Sequence, residues 1–140
     1  HAEAKDSRFI ERRRELIERQ PGVYEVMLHD AQGAIREGTT SNFYAIIDGT
    51  LRTAGEGMLQ GIARSILLEV APRILPVEFV APCVDELSRA AEAMLTSSSR
   101  GVVPVVEVGE IRIGTGRPGP LTTRLGEAYD RQVEAELEPI

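Results

Sequence analysis

The chain has 140 residues, of which 42% are hydrophobic and 27% charged, values that fit one globular domain and exclude a disordered segment or a coiled coil. Its net charge of −6 argues against nucleic acid or an anionic membrane as the principal partner, and no apolar run reaches the roughly 20 residues that span a bilayer. The single cysteine excludes an internal disulfide and predicts a reducing, cytoplasmic location.

The first 54 residues are expected to form a helix followed by strands. Apolar side chains at helical spacing predict a helix over residues 6–20, which the Pro21-Gly22 pair ends. An antiparallel meander is predicted over residues 23–54, with the Asp48-Gly49 pair as a hairpin signal. Its strands are expected at residues 24–30, 34–37, 42–47 and 50–53.

The second half mixes helices and strands. A helix is predicted over residues 61–70, and its expected apolar face consists of Ile62, Ile66, Leu67 and Val70. The further elements are a strand at 77–80, a helix at 86–90 capped by Asp85 or the preceding loop, a strand at 93–96, a hairpin around Gly109 over 102–113 and a closing helix at 120–136. No βαβ rhythm is present, so the predicted class is α+β or irregular α/β around a mostly antiparallel sheet.

Three familiar patterns are weak in this chain. Gly114 to Gly119 reads as a dinucleotide fingerprint, but too few residues follow it for the next strand and its ribose-binding acid, so a turn is predicted. His29 has only His1 as a second histidine and no clustered acids, which argues against a metal site. Cys83 has no histidine near it in the sequence and is interpreted as a structural or surface thiol.

Lys5 is the one lysine among the 16 basic lysine and arginine residues. A GC-rich codon bias explains the missing lysines but not why this one is present. An amine differs from a guanidinium in that it can deprotonate near neutral pH and form an imine. Since the chain begins with His1 rather than methionine, we also expect it to start inside a longer protein.

Three further motifs have chemistry that complements an imine-forming amine. Glu37 is an acid within a predicted strand, where it could partner a pyridine nitrogen or be a strand-edge charge. Gly61-Ile62-Ala63-Arg64 begins a helix, and free backbone N–H groups there favour an anion such as phosphate, although an ordinary helix start has the same sequence. Thr96-Ser97-Ser98-Ser99 supplies hydroxyl donors after an apolar strand, or is only a polar loop. Taken together with Lys5, these groups are what pyridoxal phosphate needs.

The order of these motifs resembles the class IV aminotransferases, which are pyridoxal-phosphate enzymes of fold type IV. The family includes branched-chain and D-amino acid aminotransferases, R-selective amine transaminases and aminodeoxychorismate lyase. The matching motifs are Lys5, Glu37-Gly38-Thr39-Thr40-Ser41-Asn42-Phe43, Gly61-Ile62-x-Arg64, Thr96-Ser97-Ser98, Val103-Pro104-Val105 and Gly114-x-Gly116-Arg117-Pro118-Gly119-Pro120-x-Thr122.

The resemblance implies a role for each motif. Lys5 would be the Schiff-base lysine and would move the proton between the substrate Cα and C4′ of the cofactor. Glu37 would bond the pyridine nitrogen and keep it protonated. The other implied site residues are Ile62 and Ala63 as backbone donors to the phosphate, Ser97 and Ser98 as phosphate-binding hydroxyls, and Gly38, Thr39, Thr40, Ser41, Asn42 and Ser99 as a substrate wall.

The chain also departs from the family. Ala63 stands where members often have threonine, and Phe9 stands where the branched-chain branch has a tyrosine that reaches the cofactor. The resemblance identifies residues 1–140 as the large cofactor-binding domain, a mostly antiparallel sheet or pseudo-barrel with flanking helices. The family's smaller N-terminal domain is absent from these residues, so a missing domain or a cleaved partner chain is expected, as is a homodimer.

The activity implied by the resemblance is transamination between a small-molecule amino donor and a keto-acid acceptor. A lyase that releases pyruvate from an aminodeoxychorismate-like substrate would use the same residues, because only the bond that breaks differs. A third interpretation is an inactive domain that binds the cofactor weakly or only assembles with a partner.

Overall fold

The computed structural model describes residues 25–38, 41–55 and 61–136. Four predictions lie outside these residues: the helix at 6–20, Lys5, and the two wall residues Thr39 and Thr40. Within the described part of the chain, no helix is both long and apolar enough to cross a membrane. No group of three or more His, Cys, Asp or Glu side chains in that part could hold a metal ion.

The described elements alternate between short strands and helices. In chain order they are β1 (Met27–His29), β2 (Ile35–Gly38), β3 (Asn42–Ile47), β4 (Thr50–Arg52), α1 (Ile62–Val70), a 3₁₀ helix (Ala71–Arg73), β5 (Val77–Glu78), a second 3₁₀ helix (Val84–Arg89), β6 (Glu92–Ser97), β7 (Gly101–Val105), β8 (Glu107–Val108), β9 (Ile111–Arg112) and α2 (Pro120–Glu136). The architecture is mixed α/β, and most strand pairs are antiparallel, as the sequence predicts.

One five-stranded sheet forms the centre of the fold, with the strand order β5-β4-β3-β6-β7. β3 pairs antiparallel with both β4 and β6, whereas β4 and β5 are parallel. Two separate two-stranded sheets are made by β1 with β2 and by β8 with β9. Because β3 lies in the middle, its residues set the register between the first and second halves of the chain.

Every residue of β3 is buried, because both faces of the central sheet are covered. Tyr44 and Ile46 face a core shared with α1 and α2, including Leu67 and Leu125. The alternating residues Phe43, Ala45 and Ile47 face a second core on the opposite side, together with Ile35, Leu87, Ala90, Ala93, Leu95 and Ile113. The period of two along a strand thus assigns the side chains of β3 to two cores.

The turns largely follow the sequence-based predictions. Asp48 and Gly49 both have positive φ angles, 53° and 75°, as the tight hairpin between β3 and β4 requires. Gly114 and Gly116 are also in the left-handed region, with φ angles of 56° and 79°. The glycine motif that formally matches a dinucleotide fingerprint is therefore a turn, as predicted.

The prediction of one continuous antiparallel meander over residues 23–54 is wrong, because β2 and β3 do not pair with each other. β2 pairs only with β1 among the described strands, and β3 pairs instead with β4 and with the distant β6. Local sequence predicted each strand and the β3–β4 hairpin, but the second partner of β3, β6, lies some fifty residues away. The turn residues that identify a hairpin predict pairing between neighbouring strands only, so they do not predict a long-range pairing of this kind.

Two helix details also differ from the prediction. Ile62 was expected on the apolar face of α1 but is 74% exposed, whereas Ala63 and Arg64 are buried. Ile62 is the first helical residue and lies beyond the edge of the core. The helix predicted at residues 86–90 is a 3₁₀ helix over Val84–Arg89. Of the two predicted caps, Asp85 and the preceding loop, the structure has the loop: the N-cap is Cys83, whose N–H donates to Glu86 Oε1 at 3.0 Å.

Candidate functional site

The start of α1 is open to an anion. Gly61 is extended there, with φ −77° and ψ 153°; no side chain caps the helix, and its first turn holds no acidic residue. The amides of Ile62 and Ala63 are among the first N–H groups of a helix, which have no intrahelical carbonyl partners. This end of α1 therefore has the donors and the dipole direction that favour phosphate.

The start of α2 is occupied by a protein carboxylate. Glu92, the first residue of β6, accepts from the Leu121 N–H at 3.1 Å and from the Thr122 N–H at 2.7 Å. A side chain at Gly119 would collide with this carboxyl group. Of the two described α-helices, only α1 thus lacks a side chain at its N-terminus.

Asn42 joins three of the predicted motifs. It is the first residue of β3 and pairs with Thr96 near the end of β6. A Cβ atom added at Gly61 would lie 2.9 Å from Asn42 Oδ1, so the chain entering α1 passes directly over this side chain. The start of α1 therefore lies at the same edge of the sheet as Thr96, near the end of β6.

The acid predicted to face a pyridine nitrogen lies at the end of β2. Glu37 is 3% exposed and pairs with Leu28 across the β1–β2 sheet. The next residue, Gly38, donates its N–H to the Ser41 carbonyl at 2.9 Å. The structure thus places Glu37 next to the described wall residues Gly38, Ser41 and Asn42, which lie where β2 ends and β3 begins.

Glu25 is a wall contact that sequence reasoning missed. Ser41 Oγ donates to Glu25 Oε2 at 2.7 Å, and a Cβ atom added at Gly38 would meet both of these side chains. The sequence shows Glu25 only as one polar residue of a predicted strand. Its contact depends on the close approach of the chain at Gly38 and could not be read from spacing.

The predicted phosphate hydroxyls lie at the end of β6 and in the turn that follows it. Ser97 pairs with Gly101 across the turn, and Ser98 and Ser99 are exposed at its tip. Ser97 Oγ accepts from Arg100 Nε at 3.0 Å. A hydroxyl that accepts one bond still has its own proton to donate, so Ser97 retains the donor that a phosphate oxygen needs.

Arg64 is the second residue that sequence reasoning left without a role. It lies in the first turn of α1 and is 2% exposed, although arginine is seldom buried so completely. Its guanidinium donates to Thr53 Oγ1 at 2.8 Å and to the Ala54 carbonyl at 2.7 Å. The sequence carries one signal that could have predicted this burial: Arg64 lies beside the expected apolar face of α1.

A groove of about 400 Å³ lies between the last turn of α1 and α2. Its walls include Arg73, Arg124 and Arg131. None of the predicted site residues that the structure describes lines it. The candidate site is therefore the edge of the sheet near Asn42 and not this groove.

Comparison with known proteins assigns the chain to a family. The model of the family described as amino-transferase class IV matches residues 10–108, well over half of the chain. The chain belongs to this family. Lys5 precedes the matched range and lies outside the described residues, so its role stays a prediction.

Relatives within the class IV aminotransferases carry two kinds of name. The chain is 36% identical over 121 residues to a probable branched-chain-amino-acid aminotransferase of Thermotoga maritima, covering 84% of this chain and 43% of that protein. It is 32% identical over 104 residues to a D-alanine aminotransferase of Staphylococcus haemolyticus, covering 72% of this chain and 37% of that protein.

Solved structures of branched-chain amino acid aminotransferases have the same fold. A branched-chain amino acid aminotransferase of T.th., solved with pyridoxamine 5′-phosphate, superposes with a TM-score of 0.88 at 26% identity, over 97% of this chain and 46% of that one. The putative branched-chain enzyme of Thermotoga maritima gives a TM-score of 0.80 at 33% identity, over 96% and 48%. The chain thus spans less than half the length of these relatives.

Proposed function

We propose that this chain is the cofactor-binding part of a pyridoxal-phosphate-dependent aminotransferase. The observation that carries the proposal is the uncapped start of α1 at the same sheet edge as the end of β6. The similarity to a structure holding pyridoxamine 5′-phosphate, with a TM-score of 0.88, supports the same cofactor. The two relatives at 36% and 32% identity are named aminotransferases, which favours transamination over the lyase and the inactive domain.

The donor set at this edge fits the phosphate of the cofactor. The amides of Ile62 and Ala63 would bind two phosphate oxygens, and the hydroxyls of Ser97 and Ser98 would donate to others. The absence of an acid from the first turn of α1 fits a doubly negative group, since a carboxylate there would repel it. Ala63 supplies no hydroxyl, so the serine turn carries the side-chain donors.

The cofactor supplies an aldehyde for the substrate amine and a ring that accepts electrons from the substrate Cα. Glu37 would hold a proton at the ring nitrogen, and its burial keeps water from competing for that bond. Lys5 would bind the aldehyde carbon through Nζ when no substrate is present and would then move the Cα proton. Gly38, Ser41, Asn42 and Ser99, with Thr39 and Thr40, would border the substrate.

The substrates that we propose are an amino acid or amine as donor and a keto acid as acceptor. Because the chain spans less than half of its relatives, the remaining part of the substrate pocket would come from a further domain or a partner chain. We also propose a homodimer in the cytoplasm as the working form. Size-exclusion chromatography with light scattering of the complete gene product would test the assembly.

A half-reaction with the amino donor alone tests the function. With cofactor bound to the complete gene product, adding the donor without acceptor should replace the visible absorbance of the lysine-bound cofactor with the ultraviolet band of its amino form. A following addition of keto acid should restore the visible band. A protein that binds the cofactor yet shows no band change with any amino acid or amine tested contradicts the proposal.

The variant Lys5→Ala provides the matched test of the catalytic residue. It should lose the visible band and the half-reaction while still binding the cofactor, because the phosphate donors on α1 and the serine turn are intact. We expect a loss of turnover of at least about 10³-fold, as is usual when a group acting as nucleophile or general base is removed. A variant that retained wild-type turnover would remove Lys5 from the mechanism.

A further inference from the structure

Arg64 fastens the start of α1 to the segment that follows β4. Its two terminal nitrogens donate to Thr53 Oγ1 at 2.8 Å and to the Ala54 carbonyl at 2.7 Å. Thr53 Oγ1 in turn donates to the Phe43 carbonyl at 2.8 Å. Through these bonds the first turn of α1 is attached to β3, at the residue directly after Asn42.

A second buried contact attaches the end of β6 to the same strand. The hydroxyls of Tyr44 and Thr96 lie 2.7 Å apart, and both residues are buried. Burial raises the pKa of Tyr44 to about 12, while the bond with Thr96 and the charge of Arg64 act against that rise. The phenol therefore stays protonated near neutral pH, so its hydroxyl can both donate and accept a hydrogen bond.

These four side chains form one cluster, which we call the Arg64 clamp: Arg64, Thr53, Tyr44 and Thr96. The clamp members Arg64 and Thr96 each directly adjoin a predicted phosphate-binding residue, Ala63 in α1 and Ser97 at the end of β6. The clamp therefore sets where the amides of α1 lie relative to the serine hydroxyls. A small shift between donors of this kind weakens binding, because a rigid anion cannot follow them.

We propose that Arg64 is a positioning residue for the cofactor phosphate. It acts through the backbone of α1 and through Tyr44, and it does not itself need to touch the phosphate. Its charge lies in the same turn as the amides of Ile62 and Ala63, where it adds to the positive end of the helix dipole. Because this inference rests on the proposed function, its test has to separate loss of phosphate recognition from loss of cofactor binding in general.

A purely structural role predicts a different pattern. If Arg64 only stabilised the core, its substitution would weaken pyridoxal 5′-phosphate and pyridoxal equally, or weaken neither. If it positions the phosphate donors, pyridoxal 5′-phosphate loses affinity and pyridoxal, which lacks the phosphate, does not. The ratio of the two dissociation constants is thus the informative quantity.

The experiment uses the complete gene product as wild type, Arg64→Lys, Arg64→Met and Tyr44→Phe. Arg64→Lys keeps the charge, but one ammonium group cannot reproduce the two-pronged bonding to Thr53 and Ala54. We expect about tenfold weaker binding of pyridoxal 5′-phosphate by Arg64→Lys, the equivalent of one hydrogen bond, and less than about twofold for pyridoxal. Tyr44→Phe should change the ratio in the same direction by a smaller factor.

A second readout follows the phosphate directly. The ³¹P resonance of bound pyridoxal 5′-phosphate should shift in Arg64→Lys and in Tyr44→Phe, because the donors around the phosphate move. Arg52→Lys is the control: like Arg64, Arg52 donates to backbone carbonyls, but its other partner is the Glu86 carboxylate, and it adjoins none of the phosphate donors. It should leave both the ratio and the resonance unchanged.

The outcomes are distinguishable. Equal weakening of both ligands in Arg64→Lys and in Tyr44→Phe, or no weakening in either, would overturn the positioning role; if Arg64→Lys fails to fold, Tyr44→Phe decides alone. A wild-type protein that binds pyridoxal 5′-phosphate no better than pyridoxal would instead overturn the proposed function, and with it the inference.

Discussion

Glu86 has four hydrogen-bond donors around one carboxylate, which makes it the anchor between β4 and the second 3₁₀ helix. Arg52 donates to it twice, at 2.8 and 2.9 Å, Arg89 donates at 3.0 Å, and the Cys83 N–H donates at 3.0 Å. These bonds, those from Arg52 foremost, lower the pKa of Glu86 from 4.5 to about 2. The carboxylate therefore stabilises the folded state only while it is ionised.

The substitution Glu86→Gln tests this anchor. A pKa lower in the folded than in the unfolded state gives stability that is fully present above about pH 4.5 and is lost as the pH falls through about 2. We expect Glu86→Gln to lower the free energy of unfolding by about 2 kcal/mol at pH 7, as for a charged hydrogen-bonding group that is partly exposed. Urea denaturation of the cofactor-free protein at pH 7, 4 and 3 would measure the difference in free energy of unfolding between the wild type and Glu86→Gln. This difference should become smaller as the pH falls to 3.

Glu110→Gln is the control for this series, because Glu110 lies exposed in the turn between β8 and β9. It should change stability by less than about 0.5 kcal/mol at every pH. If Glu86→Gln lowered the free energy of unfolding equally at pH 7 and pH 3, the charge of the carboxylate would contribute nothing to stability.

The sequence singles out candidate residues whose chemistry is local and misses contacts that depend on tertiary structure. Glu37 and the serines after β6 stand out because an acid or a run of hydroxyls at the end of an apolar strand is unusual. Arg64 and Glu25 do not stand out, because the first lies in a helix whose face was misassigned and the second in an ordinary strand. Both were identified only by what the folded chain places against them.

At the scale of elements, β6 acts on the two helices in different ways. Its first residue, Glu92, caps α2, and its last residues lead into the serine turn near the start of α1. The sequence predicts the bounds of the strand and of both helices closely, although it places the exposed Ile62 on the buried face of α1. It does not report that β6 pairs with β3, because that pairing joins segments about fifty residues apart.

The cap on α2 is testable by Glu92→Ala. Two amide N–H groups at the start of α2 would lose their acceptor, and the buried position leaves little water to replace it. We expect a loss of about 2 kcal/mol in the free energy of unfolding, at the upper end of N-cap substitutions. Thermal unfolding followed by circular dichroism would measure it, with Glu127→Ala on the exposed side of α2 as a control that should change little. A loss no larger than that of the control would contradict the capping role.

For the whole molecule, the described residues form two cores on opposite sides of the central sheet. Tyr44 and Ile46 belong to the core under α1 and α2, and Phe43, Ala45 and Ile47 belong to the opposite core. The family's fold was predictable from the order of motifs, and mixed α/β class from the absence of a βαβ rhythm. The division of one strand between two cores was not, because a continuous apolar run is compatible with a buried helix or a buried strand.

This division predicts an order of opening that native-state hydrogen exchange can measure. Amides of β3 and β6 should exchange most slowly, since their exposure requires both cores to separate. Amides of the β8–β9 pair, whose strands have two residues each, should exchange at least about tenfold faster. The candidate site would then lie on the most stable strands at Asn42 and Thr96, so its donors remain placed while the peripheral strands open. Exchange in β3 as fast as in β8 would show that the central strand opens independently, and the site would then need the cofactor or a further domain to hold its donors together.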